Sequence, residues 1–185
     1  MARRRRKDTD YALLSITING YDVRTDAGIH FDLSGPRRHL ADPDAPVFTF
    51  RTDLTLRGVC SDPPERAGER FEIDLTSGHE PSRHLRLRIE HLQERDQHDN
   101  LIFRKYGDGQ WPVYADPRGH AVLEKTRGPD MRWTAWMEVA PQMVTDTLAL
   151  LACGRQLYLS VHEQKIERRW WVRNLSVQTA DPARE

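Results

Sequence analysis

The stretch Phe48-Thr49-Phe50-Arg51-Thr52-Asp53-Leu54-Thr55-Leu56-Arg57 sets apolar residues on one parity, at Phe48, Phe50, Leu54 and Leu56. Polar residues fill the other, at Thr49, Arg51, Asp53, Thr55 and Arg57. Successive side chains of a strand point to opposite faces, so this pattern predicts a strand with one buried and one wet face. The same period recurs at Phe71, Ile73 and Leu75, at Leu85, Leu87 and Ile89, and at Leu157, Leu159 and Val161. One-sided strands of this kind build antiparallel sheets, because all-parallel sheets are buried on both faces and lose the alternation.

Weaker strand signals lie between these segments. Leu14, Ile16 and Ile18 lead into Asn19-Gly20, a pair that favours a tight hairpin turn, with Tyr21 and Val23 as the return strand and Ile29, Phe31 and Leu33 as the next. Residues 101–106, 111–114, 121–124 and 131–138 read as short strands, separated by Gly107-Asp108-Gly109, Asp116-Pro117-Arg118-Gly119 and Gly128-Pro129-Asp130. The last strand runs from about Trp170 to Thr179, and a change of apolar parity between Val172 and Leu175 predicts a bulge near Arg173-Asn174. Pro141 to Cys153 differs: Val144, Leu148 and Leu151 have helical spacing, Pro141 suits a helix start and Gly154 a helix end. The expected fold is mainly β, an antiparallel β-sandwich of jelly-roll or Greek-key type with one short helix near 141–153. The expected organisation is a flexible basic N-terminal tail over 1–10, a single β-sandwich domain over 11–180 and a frayed C-terminus over 181–185.

The chain has 185 residues, 38% hydrophobic and 30% charged, enough for one full core under a heavily charged surface. Lys plus Arg and Asp plus Glu both number 28, so no net field draws the chain to nucleic acid or to an anionic membrane. Positive charge is concentrated at Arg3, Arg4, Arg5, Arg6 and Lys7, which could touch phosphates or an acidic partner with little selectivity. No apolar run reaches the roughly 20 residues of a membrane span, and the start does not fit a signal peptide. Cys60 and Cys153 are isolated, as buried thiols of a reducing compartment are, and cytoplasm is the expected location.

Motifs for catalysis are scarce. The eight histidines include no pair at i and i+2, and His79, Glu80 and His84, or His91, His98 and Asp99, could supply metal ligands only from loops. Glu72 and Asp74 share a strand face that Glu90 could join, but Arg86 and Arg88 make cross-strand ion pairing the simpler expectation. His162-Glu163 reads as an exposed rim pair. Nucleophile elbow, phosphate loop and dinucleotide fingerprint are all missing, so no catalytic residue, metal ligand or cofactor is assigned.

The five tryptophans all lie in the second half. Trp133 and Trp136 have opposite parity on one strand, as do Trp170 and Trp171, so one of each pair should point away from a one-sided core. Arg132, Arg169 and Arg173 sit beside them. An indole with arginine neighbours suits a protein hot spot, a sugar ring or a base; the alternative is that both sheet faces are covered there. The expected function is a non-catalytic binding or assembly module contacting a partner protein through this aromatic-basic surface. Its rivals are a carbohydrate or small-ligand binder and a metal-assisted enzyme using loop histidines.

Overall fold

The structure, a computed structural model, describes residues 11–29, 47–78, 88–115, 120–166 and 168–184. In chain order the elements are β1 (Tyr11–Ile29), β2 (Phe48–Asp62), β3 (Arg70–Gly78), β4 (Phe103–Tyr106), β5 (Gly109–Pro112), β6 (Ala121–Lys125), β7 (Trp133–Glu138), α1 (Pro141–Ala152), β8 (Tyr158–Ile166) and β9 (Arg169–Gln178). Seven strands close into a barrel in the order β1-β2-β3-β7-β6-β9-β8, and β1 pairs with β8 to complete it. Strands β4 and β5 form a separate hairpin around Gly107-Asp108. The expected basic tail lies outside the described residues.

The expected mainly β fold with one short helix is present, but the main sheet is a closed barrel instead of an open sandwich. Alternation cannot separate the two, because each needs one dry and one wet face per strand. Closure is decided by Tyr11–Thr17 lying against Tyr158–Gln164. The barrel is not wholly antiparallel either: β3 and β7 run parallel from Phe71↔Trp133 to Thr76↔Glu138.

Inside the barrel the alternation holds. Leu54 and Leu56, Phe71, Ile73 and Leu75, and Leu157, Leu159 and Val161 are all buried. Each such side chain contributes about 1.5–3 kcal/mol relative to an exposed one. At the expected bulge His162 faces Asn174 and Glu163 faces Val172, so Arg173 is the extra residue.

Two strand assignments are corrected. Asn19-Gly20 is a bulge within one long strand: Ile18 pairs with Gly58 and Gly20 with Arg57, leaving Asn19 extra. Because β2 runs alongside from Ser15 to Ile29, the chain does not turn back here, and Tyr21, Val23 and Ile29 continue β1. Phe31 and Leu33 lie outside the described residues. Ile89, expected in a strand with Leu85 and Leu87, belongs to a 3-10 turn over Ile89–Leu92 and is exposed. The Arg88 N–H donates to His91 Nδ1 at 2.9 Å, a local bond that competes with extended pairing. Leu85 and Leu87 lie outside the described residues.

Helix α1 starts on Pro141 and ends at Cys153, with Gly154 at φ +66 just beyond. It buries Val144 and Thr147, while Leu148 and Leu151 pack half-buried against the core. Because it links the end of β7 to the start of β8, it covers one end of the barrel. Asp181 accepts a hydrogen bond from Ser15 Oγ at 3.0 Å, which holds the C-terminal segment against β1. Among the described residues no helix is long and apolar enough to cross a membrane.

Candidate functional site

The barrel end opposite α1 gathers the first group of functional side chains. Trp133 shares the inward parity of Ala135 and Met137, and Trp170 that of Val172. Both indoles lie half-buried against the core at the barrel mouth. Trp133 stacks on Phe71 with ring centroids 6.5 Å apart. The turn between β2 and β3 then lowers Arg66 between the rings, with its guanidinium carbon 4.6 Å from the centre of Trp133, 5.9 Å from Trp170 and 5.5 Å from Phe71.

That cation is neutralised from two sides. Arg66 hydrogen-bonds both Glu69 and Glu163. Glu69 also accepts from Trp133 Nε1 at 2.9 Å and from Lys125 Nζ at 3.0 Å. Burial pushes the Glu163 carboxyl above the usual range, and the charge and hydrogen bond of Arg66 offset this only in part. Burial also acts on Glu69, but there the hydrogen bonds of Arg66 and Lys125 outweigh it and hold the carboxyl low. Lys125 and Lys165 lie over the Trp133 and Trp170 rings at 5.3 and 5.5 Å. The indoles at the mouth thus stack on cations of the chain itself.

The second group is on the outer wall. Trp136 has the opposite parity to Trp133, and its side chain is 56% exposed. The ring is pinned: its Nε1 donates to Thr76 Oγ1 at 2.9 Å, and the Thr76 hydroxyl donates to Asp53 at 2.6 Å. Beside it is a shallow hollow of about 320 Å³ lined by Asp74, Val122, Glu124 and Thr134. Trp171, half-buried, pairs with Val122 across β9 and β6.

The seven residues expected to form one aromatic-basic surface therefore divide between two places. Trp133 and Trp170 meet at the mouth, where Arg132 joins Trp133 and Lys125 around a second hollow. Trp136 is on the wall, with Trp171 one strand beyond β6. Arg132 pairs with Glu72 at 3.2 Å, Arg169 is exposed at the start of β9 and Arg173 is half-buried at the bulge.

Several charged positions depart from expectation. Glu72 pairs with Arg57 and Arg132 because β2 and β7 flank β3; Arg88 lies beside the 3-10 turn instead of on a neighbouring strand, and Arg86 lies outside the described residues. Of the expected rim pair, His162 is exposed but Glu163 is fully buried. It continues the inward parity of Leu159 and Val161, and a charge on an apolar parity was the signal that could have found it. Arg66, in an aperiodic turn, carried no such signal. Cys60 is buried as expected, whereas Cys153 is exposed.

Among the described residues no group of three His, Cys, Asp or Glu side chains could hold a metal ion; His79 and His84 lie outside them. Compared with protein-family models, curated proteins and solved structures, the chain finds no match in any of the three.

Proposed function

We propose that this chain is a non-catalytic binding or assembly module, and that the outer wall around Trp136 is the surface that takes a partner protein. One observation carries the reading: Trp136 combines high exposure with a fixed ring beside a hollow. A ring held before contact loses little freedom on binding, and tryptophan is enriched among residues that dominate interface energy. Asp74 and Glu124 at the rim favour a partner that lays a lysine or arginine over the indole, where the ring face and the carboxylates attract the same cation. The Trp133 and Trp170 rings already stack on Arg66, Lys125 and Lys165, which favours the wall over the mouth.

The test is co-purification from the source cells with the wild type, Trp136→Ala, Asp74→Asn/Glu124→Gln and, as an exposed control, Trp111→Ala. Loss of the same partner from the first two variants, with retention by the control, supports the reading. An unchanged set of partners across all four, with circular dichroism showing each folded, overturns it.

A further inference from the structure

We infer that the edge of β1 over Tyr21–Ile29, unpaired among the described residues, pairs with the same edge of a second copy of this chain, joining two barrels in a two-fold dimer through a continuous antiparallel ribbon. Strand β8 covers β1 only over Tyr11–Thr17, whereas β2 pairs with it as far as Ile29. From Tyr21 to Ile29, among the described residues, β1 has a strand on one side alone. An edge of this length, about 30 Å at the usual rise per residue, presents a row of backbone donors and acceptors ready for another strand. Proteins commonly blunt such edges with proline, lysine or a bulge. Residues 21–29 contain neither proline nor lysine, and the bulge falls before them at Asn19.

The side chains select both the occupant and the register. If two copies of β1 run antiparallel about Thr25, Arg24 of each faces Asp26 of the other. Tyr21 then faces Ile29, and Val23 faces Ala27. A register centred on Arg24 would instead oppose two arginines and set Asp22 against Asp26. One centred on Val23 would set Ile29 against Thr17 and carry the pairing through the bulge and Ile18. That residue is already bonded alongside: its N–H donates to the Leu157 carbonyl at 3.0 Å, and its own carbonyl accepts from Gln156 at 2.8 Å. The Thr25-centred register alone of these three is charge-complementary and clear of obstruction.

The two faces of the ribbon agree with this arrangement. Cross-strand pairs point to one side, so Tyr21, Val23 and Ile29 share a face with Phe48, and all four are exposed apolar side chains. The opposite face is polar and ion-paired, with Arg24–Asp26 at 2.9 Å and Arg57–Asp22 at 2.5 Å. Pairing about the two-fold sets the apolar face of one ribbon beside that of the other.

The test uses the full chain and two exposed positions. Wild type, Asp26→Arg, Arg24→Asp and an equimolar mixture of the two variants are compared by sedimentation velocity over a wide concentration range, with circular dichroism confirming each fold. A wild-type dimer is expected, with its dissociation constant raised at least about tenfold in either variant alone, where two like-charge contacts replace two ion pairs. The mixture should recover a heterodimer, since the arginines of one variant then face the aspartates of the other. A monomeric wild type, single variants that dimerise as the wild type does, or a mixture that shows no recovery would each overturn the inference.

Discussion

Arg66 and Glu163 lie 97 residues apart in sequence and meet as an ion pair at the barrel mouth, with none of the Glu163 side chain exposed. Removing Arg66 strands the buried Glu163 charge, whereas removing both partners can be nearly neutral; removing Glu163 leaves Arg66 with Glu69. Arg66→Met should lower unfolding stability by about 3 kcal/mol or more, because Glu163 then has no charged partner. The double variant Arg66→Met/Glu163→Leu should cost less than the sum of Arg66→Met and Glu163→Leu. Urea unfolding of the four proteins reads the coupling; strict additivity would show that the two side chains do not act together.

The two glutamates on this guanidinium respond to pH in opposite senses. Burial raises the Glu163 carboxyl, so the folded chain holds that proton more tightly than the unfolded chain. Its contribution to stability is complete below the ordinary glutamate range and is lost as pH rises through the raised folded value. For Glu69 the bonds from Arg66 and Lys125 overcome burial and lower the value. Its contribution is complete above the ordinary range and is lost as pH falls through the lowered value. Denaturation midpoints followed across pH should lose the decline on the rising side in Glu163→Gln and part of the acid-side decline in Glu69→Gln. Curves that overlay the wild type for both variants would refute the assignment.

Gly58 is a point of close approach between β1 and β2. A Cβ there would sit 2.5 Å from the Thr17 carbonyl oxygen and 2.6 Å from Ile16 Cγ2. Gly58→Ala should destabilise by about 2 kcal/mol through overpacking. Gly28→Ala, with nothing within 4 Å of the added atom, should be close to neutral. Thermal unfolding of the two variants side by side decides it, and equal losses would contradict the packing described.

The two thiols should differ in reactivity. Cys60 is buried, donates to the Asp62 carbonyl at 3.1 Å, and has its pKa pushed up to about 11 by burial. Cys153 is exposed at the end of α1. A disulfide reagent should titrate one thiol in the native protein and two in denaturant, because the thiolate is the reacting form. Rapid native-state labelling of Cys153→Ser would disprove this.

Strands were the most legible part of the sequence, because each one carries its own wet and dry faces. Closure was not legible, since it joins Tyr11–Thr17 to Tyr158–Gln164 and no local pattern records which edges meet. The parallel contact of β3 with β7 was hidden for the same reason. The opposed parity of Trp133 and Trp136 was readable and matches an indole at the mouth and an indole on the wall. What gathers at the mouth was not readable, because Arg66 arrives from a turn with no period and the register of β8 with β9 decides where Glu163 falls.

Closure through β1 and β8 also sets an order of events during synthesis. Segment 11–17 leaves the ribosome well before the segment it lies against, which is made about 150 residues later. Until then Leu14 and Ile16, buried in the finished protein, belong to a hem joined to β2 on one side and to nothing on the other. Contacts so distant in sequence slow the search for the native state, so the barrel cannot close until β8 has been made.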